Sequence, residues 1–430
     1  MLGTLAGVSI RRNKLATPAQ AVVVKGKVKV SRPGENPWVS RTMRTSGPQQ
    51  FDTENFNAAG VINVQKNIPL LQPLAHVCLR LRGRLTVSVN VTDCPPEAPQ
   101  NLFSQIKIFG QHTVLGSEVP FLMTGEFAHA LPGLLDRTKA SLTMLKINGV
   151  YYSLDQIKQG IITPTFFTSA GSPYDFEVWW VIPTYPYGVT DYNALQYLWD
   201  ARSWGQTLQI QLTCRDASAT GAFGTTGTKA ISAYGSASGV PSLDILLDYA
   251  NLGPNLDAAI AKAVVVRNSQ FISGMLVNNV GANSRLLLLQ NKKTLSVTLK
   301  TGTLETSSNN VYAALLDSVL EQTVLLKNTT PIRNLQYNDV TDAFYNFRLG
   351  RRHFPGYLTI MCDDGEPSVN PHASIRADKW SASTQFNLAS QVIGGAASNI
   401  GEALQEYVDG QPAIATTTNA AASTSSASAG

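Results

Sequence analysis

A chain of 430 residues is long enough for two or three domains, and 43% hydrophobic content can fill sizeable cores. Only 15% of residues are charged, against about 25% in typical soluble proteins, which suits a molecule that buries much of its outside against neighbours. The net charge of +5 is uneven: residues 1–50 hold nine Lys or Arg and one acid, a net +8, so the remainder carries −3.

Residues 1–50 read as a basic N-terminal arm. Its start, "MLGTLAGVSIRRNK", is apolar before it is basic, the reverse of a secretory signal, and no apolar run reaches the roughly 18–20 residues of a membrane span. Neither an export signal nor a transmembrane helix is expected. "VKGKVKV" (24–30) sets Lys25, Lys27 and Lys29 against Val24, Val28 and Val30, as a short edge strand does when lysines discourage stray pairing. The candidate contact residues of the arm are Arg11, Arg12, Lys14, Lys25, Lys27 and Lys29. Three roles fit them: packaging nucleic acid, touching an anionic membrane or an acidic patch on a neighbour, or keeping the chain soluble. Packaging would favour a denser basic run with interleaved aromatics, and Trp38 is the arm's only aromatic.

A first β domain is expected over 51–215. "AHVCLRLRGRLTVSVNVT" (75–92) alternates Leu79, Leu81, Leu85, Val87, Val89 and Val91 with Arg80, Arg82, Arg84, Thr86, Ser88 and Asn90. "LFSQIKIFG" (102–110) alternates less cleanly. "YDFEVWWVIP" (174–183) is nearly all apolar, as in a strand covered on both faces. The long insertion between these last two is expected to hold a helix and extra strands. Residues 216–242 are rich in Gly, Ser, Ala and Thr, which places a loop and the domain connection at 216–264. A second β domain follows over 265–395.

The second domain repeats the first. "WGQTLQIQL" (204–212) aligns without a gap on "WSASTQFNL" (380–388), 176 positions later, matching Trp204 to Trp380, Gln209 to Gln385 and Leu212 to Leu388. "LTVSV" (85–89) pairs with "LSVTL" (295–299), "LFSQIKIFG" with "TPIRNLQYND" (330–339), and "FEVWWVIP" with "FPGYLTIMC" (354–362). Blocks in one order at this separation describe a duplicated domain, not a short-period array. Two helices are predicted. One is "NNVYAALLDSVLEQTVLL" (309–326). The other is "SNIGEALQEYVDG" (398–410), where Ile400, Ala403, Leu404, Tyr407 and Val408 share a helical face between an Asn399/Glu402 cap and a Gly410 stop. Residues 396–430 are thus read as a short helix and a disordered tail.

Catalytic signatures are missing from the pattern. His76, His112, His129, His353 and His372 sit in unrelated contexts, and Cys78, Cys94, Cys214 and Cys362 show no CxxC or metal-ligand spacing. "GTTGTK" (224–229) lacks the P-loop spacing. "CDDGEP" (362–367), with Asp363, Asp364 and Glu366, fits a solvated acidic turn or a calcium-stabilised loop. No catalytic residue, cofactor or metal site is assigned, and an enzyme is not expected.

Tandem β domains behind a basic arm resemble the double jelly-roll major capsid proteins of tailless icosahedral viruses, the tectivirus-like and adenovirus-hexon-like lineage. The likeness rests on "GVINVQKNIPLLQPLAHVCLRLRGRLTVSV" (60–89) and "FEVWWVIP…WGQTLQIQL" (176–212), then "LSVTL…PIRNLQYND…PGYLTIMC…WSASTQFNL", and covers roughly residues 50–395. It implies an all-β fold, two tandem eight-stranded antiparallel jelly-roll barrels with a few short helices. It further implies a major capsid protein that self-assembles as pseudo-hexagonal homotrimers tiling an icosahedral virion shell. The implied partners are the chain itself, neighbouring capsomers, minor capsid or vertex proteins and an internal viral membrane, with assembly in the host cytoplasm. A competing reading is a tandem β-sandwich that binds a receptor or carbohydrate, with Tyr185 and Tyr187 of "PTYPYG" as its exposed aromatics.

Overall fold

The computed structural model describes residues 45–90, 99–135, 144–153, 171, 173–186, 197–215, 223, 229–236, 240–251, 264–276, 281–282, 286–305, 310–314, 320–336, 354, 356–362, 375–376, 380–392 and 399–411. The first part of the chain contains strands β1 (Gln49–Glu54), β2 (Asn63–Asn67), β3 (Leu74–Val87), β4 (Phe103–His112) and β5 (Gly116–Met123). Helix α1 (Gly125–Leu135), the hairpin of β6 (Met144–Ile147) and β7 (Val150–Ser153), then β8 (Tyr174–Pro183), β9 (Gln209–Cys214), β10 (Lys229–Ser232) and β11 (Leu243–Tyr249) complete it. The second part contains β12 (Val264–Leu276), β13 (Gly281–Ala282), β14 (Leu286–Leu287), β15 (Lys293–Glu305), β16 (Asn310–Ala314) and β17 (Leu320–Lys327). It closes with β18 (Thr330–Gln336), β19 (Tyr357–Met361), β20 (Ile375–Arg376), β21 (Phe386–Val392) and β22 (Asn399–Gln411).

Strand order reveals the same barrel twice. In the first, a sheet ordered β1-β11-β3-β8 accompanies one ordered β2-β9-β4-β5. In the second, β12-β22-β15, with β19 also on β15, accompanies β21-β17-β18, with β13 and β14 on β21. All these pairings are antiparallel. Such two-sheet Greek-key closure is the jelly-roll solution to exposed strand edges. The period-2 pattern of β3 explains its placement: Leu79, Leu81 and Leu85 are buried in the core while Arg80, Arg82 and Arg84 stay partly exposed on the other face. Phe103, Phe176 and Trp180 pack with them, and the Trp180 indole donates to the Gly125 carbonyl at 2.8 Å. The insertion between β5 and β8 holds α1 and the β6–β7 hairpin as expected; the hairpin turns on Asn148 and Gly149, both at positive φ.

The barrels stand side by side with the same ends together. Chain entry and exit of the first barrel meet where Thr45 bridges Ala250 and Ser46 N–H donates to Tyr249 O at 2.8 Å. Near that end, Pro183 O, at the close of β8, accepts from Arg267 Nη1 of β12 at 3.0 Å. Toward the other end, Glu126 of α1 meets Lys300 of β15. The larger core cluster runs on into the second barrel, taking in Val266, Phe354, Tyr357 and Leu404.

Several expectations change. The helix predicted over 309–326 is instead strands β16 and β17, and the helix predicted over 398–410 is strand β22. Each gains sheet pairing, β22 on both edges, which outweighs weak helix propensity. The counterpart of β4 is therefore β17, and the 330–339 block holds β18, the counterpart of β5. Past residue 215, β10 and β11 still pair with β3, so the first barrel runs to Tyr249. The segment 24–30 and the tail 412–430 lie outside the described residues.

Gly125 opens α1 against the short 3-10 turn Gln100–Leu102 ahead of β4, and an added Cβ would overlap the Gln100 carbonyl oxygen. Gly125→Ala is expected to cost about 1–3 kcal/mol of stability through overpacking. A lowered denaturant midpoint with an unchanged m value would show it.

Candidate functional site: the buried polar seam between the barrels

The outer face of the β12-β22-β15-β19 sheet is covered by the first barrel. Strand β15 presents Ser296, Thr298 and Lys300 to it, while Val297 and Leu299 fill the second barrel's own core. Strand β22 presents Glu402, Leu404 and Glu406, and β19 presents Tyr357 and Thr359. From the first barrel come Glu126 of α1, Arg215 just after β9, the β5 edge and the Pro183 carbonyl.

Six charged side chains are buried here: Lys300, Arg215 and Arg267 against Glu126, Glu402 and Glu406. Lys300 is 1% exposed, with Nζ 2.5 Å from Glu126 Oε2 and 3.5 Å from Glu402 Oε2. The other Glu126 oxygen accepts from the Tyr357 hydroxyl at 2.6 Å. Arg267 donates to Glu406 as well as to Pro183 O, and Glu406 also accepts from Ser296 at 3.3 Å. The Arg215 guanidinium donates to Asn101 O at 2.9 Å. Along the strand edges, Asn268 Nδ2 donates to Glu118 at 2.6 Å, and Ser269 Oγ accepts from Leu122 N–H at 2.7 Å. Thr298 and Thr359 hydroxyls pair at 3.0 Å.

Burial by itself would lower the Lys300 ammonium, but Glu126 and Glu402 overcome that and hold it above its ordinary value. Burial pushes the Glu402 carboxyl up, with the like charge of Glu126 adding to it against the pull of Lys300 and Arg215. Burial lowers Arg215, opposed by Glu402 and Glu126. This arrangement ties one barrel to the other. Among the described residues no three His, Cys, Asp or Glu side chains gather as a metal cage.

The residues singled out from sequence fall elsewhere. Arg11, Arg12, Lys14, Lys25, Lys27 and Lys29 lie outside the described residues, as do Tyr187, Asp363, Asp364 and Glu366. Tyr185 is half-buried: its hydroxyl bonds His76 Nε2 at 2.6 Å, and its ring packs beside Tyr197, Leu295 and Val408 at the seam. Cys78, Cys214 and Cys362 are buried, and Cys94 lies outside the described residues. Sequence reasoning missed all six seam charges. Their signal was a lone charge beside a β-prone run, as in "VVVR" (264–267) and "LSVTLK" (295–300).

No family model and no curated relative matches the chain. Among solved structures it is similar to the STIV MCP, with a TM-score of 0.52 and 11% identity over 84% of this chain and 95% of that one. It is likewise similar to the PBCV-1 virus capsid, with a TM-score of 0.52 and 11% identity over 86% of this chain and 94% of that one. At such identity the likeness is one of fold, and the fold is the double jelly roll.

Lys300→Met leaves Glu126 and Glu402 buried without their cation and is expected to cost about 3–5 kcal/mol in denaturant unfolding. Glu402 gives a pH signature. A carboxyl held above its ordinary 4.5 supplies stability that is whole below that value and lost as pH rises through the folded-state value. The stability of the wild type relative to Glu402→Gln should therefore fall as pH rises above the ordinary 4.5; chemical denaturation at a series of pH values from below 4.5 upward checks it.

Proposed function

We propose that this chain is a viral major capsid protein, a structural tile whose copies associate as pseudo-hexagonal homotrimers and pave an icosahedral shell. The observation that carries this reading is the pair of side-by-side jelly-roll barrels locked by a buried seam, in a chain similar in fold over most of its length to the STIV MCP and the PBCV-1 virus capsid. Three double barrels make six similar corners from threefold symmetry, a footprint that tiles a surface. The sparse charge fits a molecule surrounded by copies of itself. Nothing in the seam calls for catalysis, and the reading is of a non-enzymatic protein of the virion.

In this reading the arm carrying Arg11, Arg12, Lys14, Lys25, Lys27 and Lys29 enters the first barrel at Thr45, at the end where the barrels share the Pro183–Arg267 contact. That end would face the shell interior, toward an anionic internal membrane or the genome. Minor capsid or vertex proteins would complete the shell, with assembly in the host cytoplasm.

Light scattering on a sizing column tests the reading. The expected species has three times the 46.3 kDa chain mass, and negative-stain images of concentrated protein should show shells or hexagonal sheets. A monomer at every concentration would overturn it.

A further inference from the structure

The face that the first barrel covers on the second exists on the first barrel too. Cross-strand rows pair the two residue by residue. Asp244, Arg80 and Trp179 form one row of the first barrel, and Glu402, Lys300 and Tyr357 form the matching row of the second. Next come Leu246, Cys78 and Val181 against Leu404, Thr298 and Thr359, then Asp248 and His76 against Glu406 and Ser296. The strand carrying the acids reads "DILLDY" (244–249) in one barrel and "EALQEY" (402–407) in the other. Acid, cation, aromatic and leucine recur in the same places.

Coverage is what differs. Leu404 and Tyr357 are each 0% exposed beneath the first barrel, whereas Leu246, Trp179 and Val181 remain partly open. Arg80 lies over the Trp179 ring and pairs with Asp244, and His76 Nδ1 bonds Asp248 at 2.9 Å. On this face Arg82 Nε and Asp248 Oδ1 are buried without a hydrogen-bond partner among the described residues. The edges show the same asymmetry. Inside the chain, edge strand β12 lies on edge strand β5. Their counterparts are β1, with Gln49 and Gln50 exposed, and β18, with Pro331, Arg333 and Asn334 exposed.

We propose that the outer face of the β1-β11-β3-β8 sheet docks the second barrel of another copy of this chain, with β1 lying along that copy's β18, in repetition of the internal seam. Each copy offers one open face and one open complementary edge, so copies join head to tail and close as a ring. The charges do not clash: Arg333 of β18 would meet a β1 edge whose Asp52 and Glu54 are already held by Lys66 at 3.1 and 3.0 Å. The partly exposed Trp179 and Arg80 are residue types that anchor protein interfaces. This inference rests on the capsid-tile reading for the ring's size, and it names the surface that builds it.

The test uses the full chain in two variants. Leu246→Arg places a charge in the middle of the open face, where a partly exposed side chain leaves the barrel intact. The expected result is monomer on the sizing column with an unchanged circular dichroism melt. The second variant carries Gln50→Cys and Asn334→Cys together and is treated with a short bismaleimide. Every variant also carries Cys94→Ser, because Cys94 lies outside the described residues; Cys78, Cys214 and Cys362 are buried, and burial pushes the Cys78 thiol up to about 12, which keeps these three unreactive. Covalent species should form a ladder that ends at three chains, and each single-cysteine variant should give none. A trimeric wild type whose two variants neither dissociate nor cross-link would overturn this surface and leave the capsid reading standing. A monomeric wild type would remove the capsid reading itself. Should the Leu246 variant misfold, the cross-link decides alone.

Discussion

An ammonium group cannot be taken out of water without a counter-charge, and Lys300 lies beneath two barrels at once. Its two carboxylates come from opposite sides, Glu126 from the first barrel and Glu402 from the second. Neither barrel alone supplies both, so the charge can be buried only when the barrels are docked. The register is set by the same requirement. Slipping β15 by one residue would turn Lys300 into the core of the second barrel and bring Leu299 to the seam, because strand side chains alternate faces. Apolar contacts such as Leu404 and Tyr357 add attraction across the seam. Apolar area is tolerant of sliding, while the Lys300, Arg267 and Glu406 contacts are not.

The parts of the fold that could be read from sequence were those covered on one face or built wholly from apolar β-formers. Strand β3 announces itself by Leu79, Leu81 and Leu85 alternating with three arginines, and β8 by its apolar "VWWVI". The matched "WGQTLQIQL" and "WSASTQFNL" run into β9 and β21, which pair in equivalent sheets. Reading failed for β22, whose two faces are both covered. In β22 every side chain from Glu402 to Val408 is buried, so the alternation that marks a half-exposed strand disappears. What remains is Glu402 and Glu406 four apart, a spacing that suits a helix equally well. Reading β17 as part of a helix over 309–326 shifted the repeat by one strand. The "LTVSV" and "LSVTL" blocks named the right strands, β3 and β15, in a register ten residues off: opposite β11 and β22 it is Val77 and Leu79 that match Val297 and Leu299.

The seam itself was illegible for a different reason. Glu126, Lys300, Glu402 and Arg215 come from separate elements 85 to 276 residues apart, and each is an ordinary charge in its own neighbourhood. Only the pairing of strands brings them together. The arm's basic residues had the opposite character: they are conspicuous as a sequence and say nothing about geometry.

Duplicated sheets with unequal chemistry make physical sense if their seams form under different conditions. The internal seam joins parts of one chain, where the partner is always at high effective concentration. It can therefore rely on a fully buried lysine and on threonine hydroxyls that satisfy each other, Thr298 with Thr359. The proposed external seam must wait for a second molecule, and until then its face meets water. There the lysine is replaced by Arg80, whose guanidinium is weakly hydrated, stacks on Trp179 and is held by Asp244 while still partly exposed. The inner Thr pair becomes Cys78 and Val181, which need no hydrogen-bond partner from the incoming chain. A face built this way is soluble alone and loses little on being covered, which is what a tile assembled from separate copies requires.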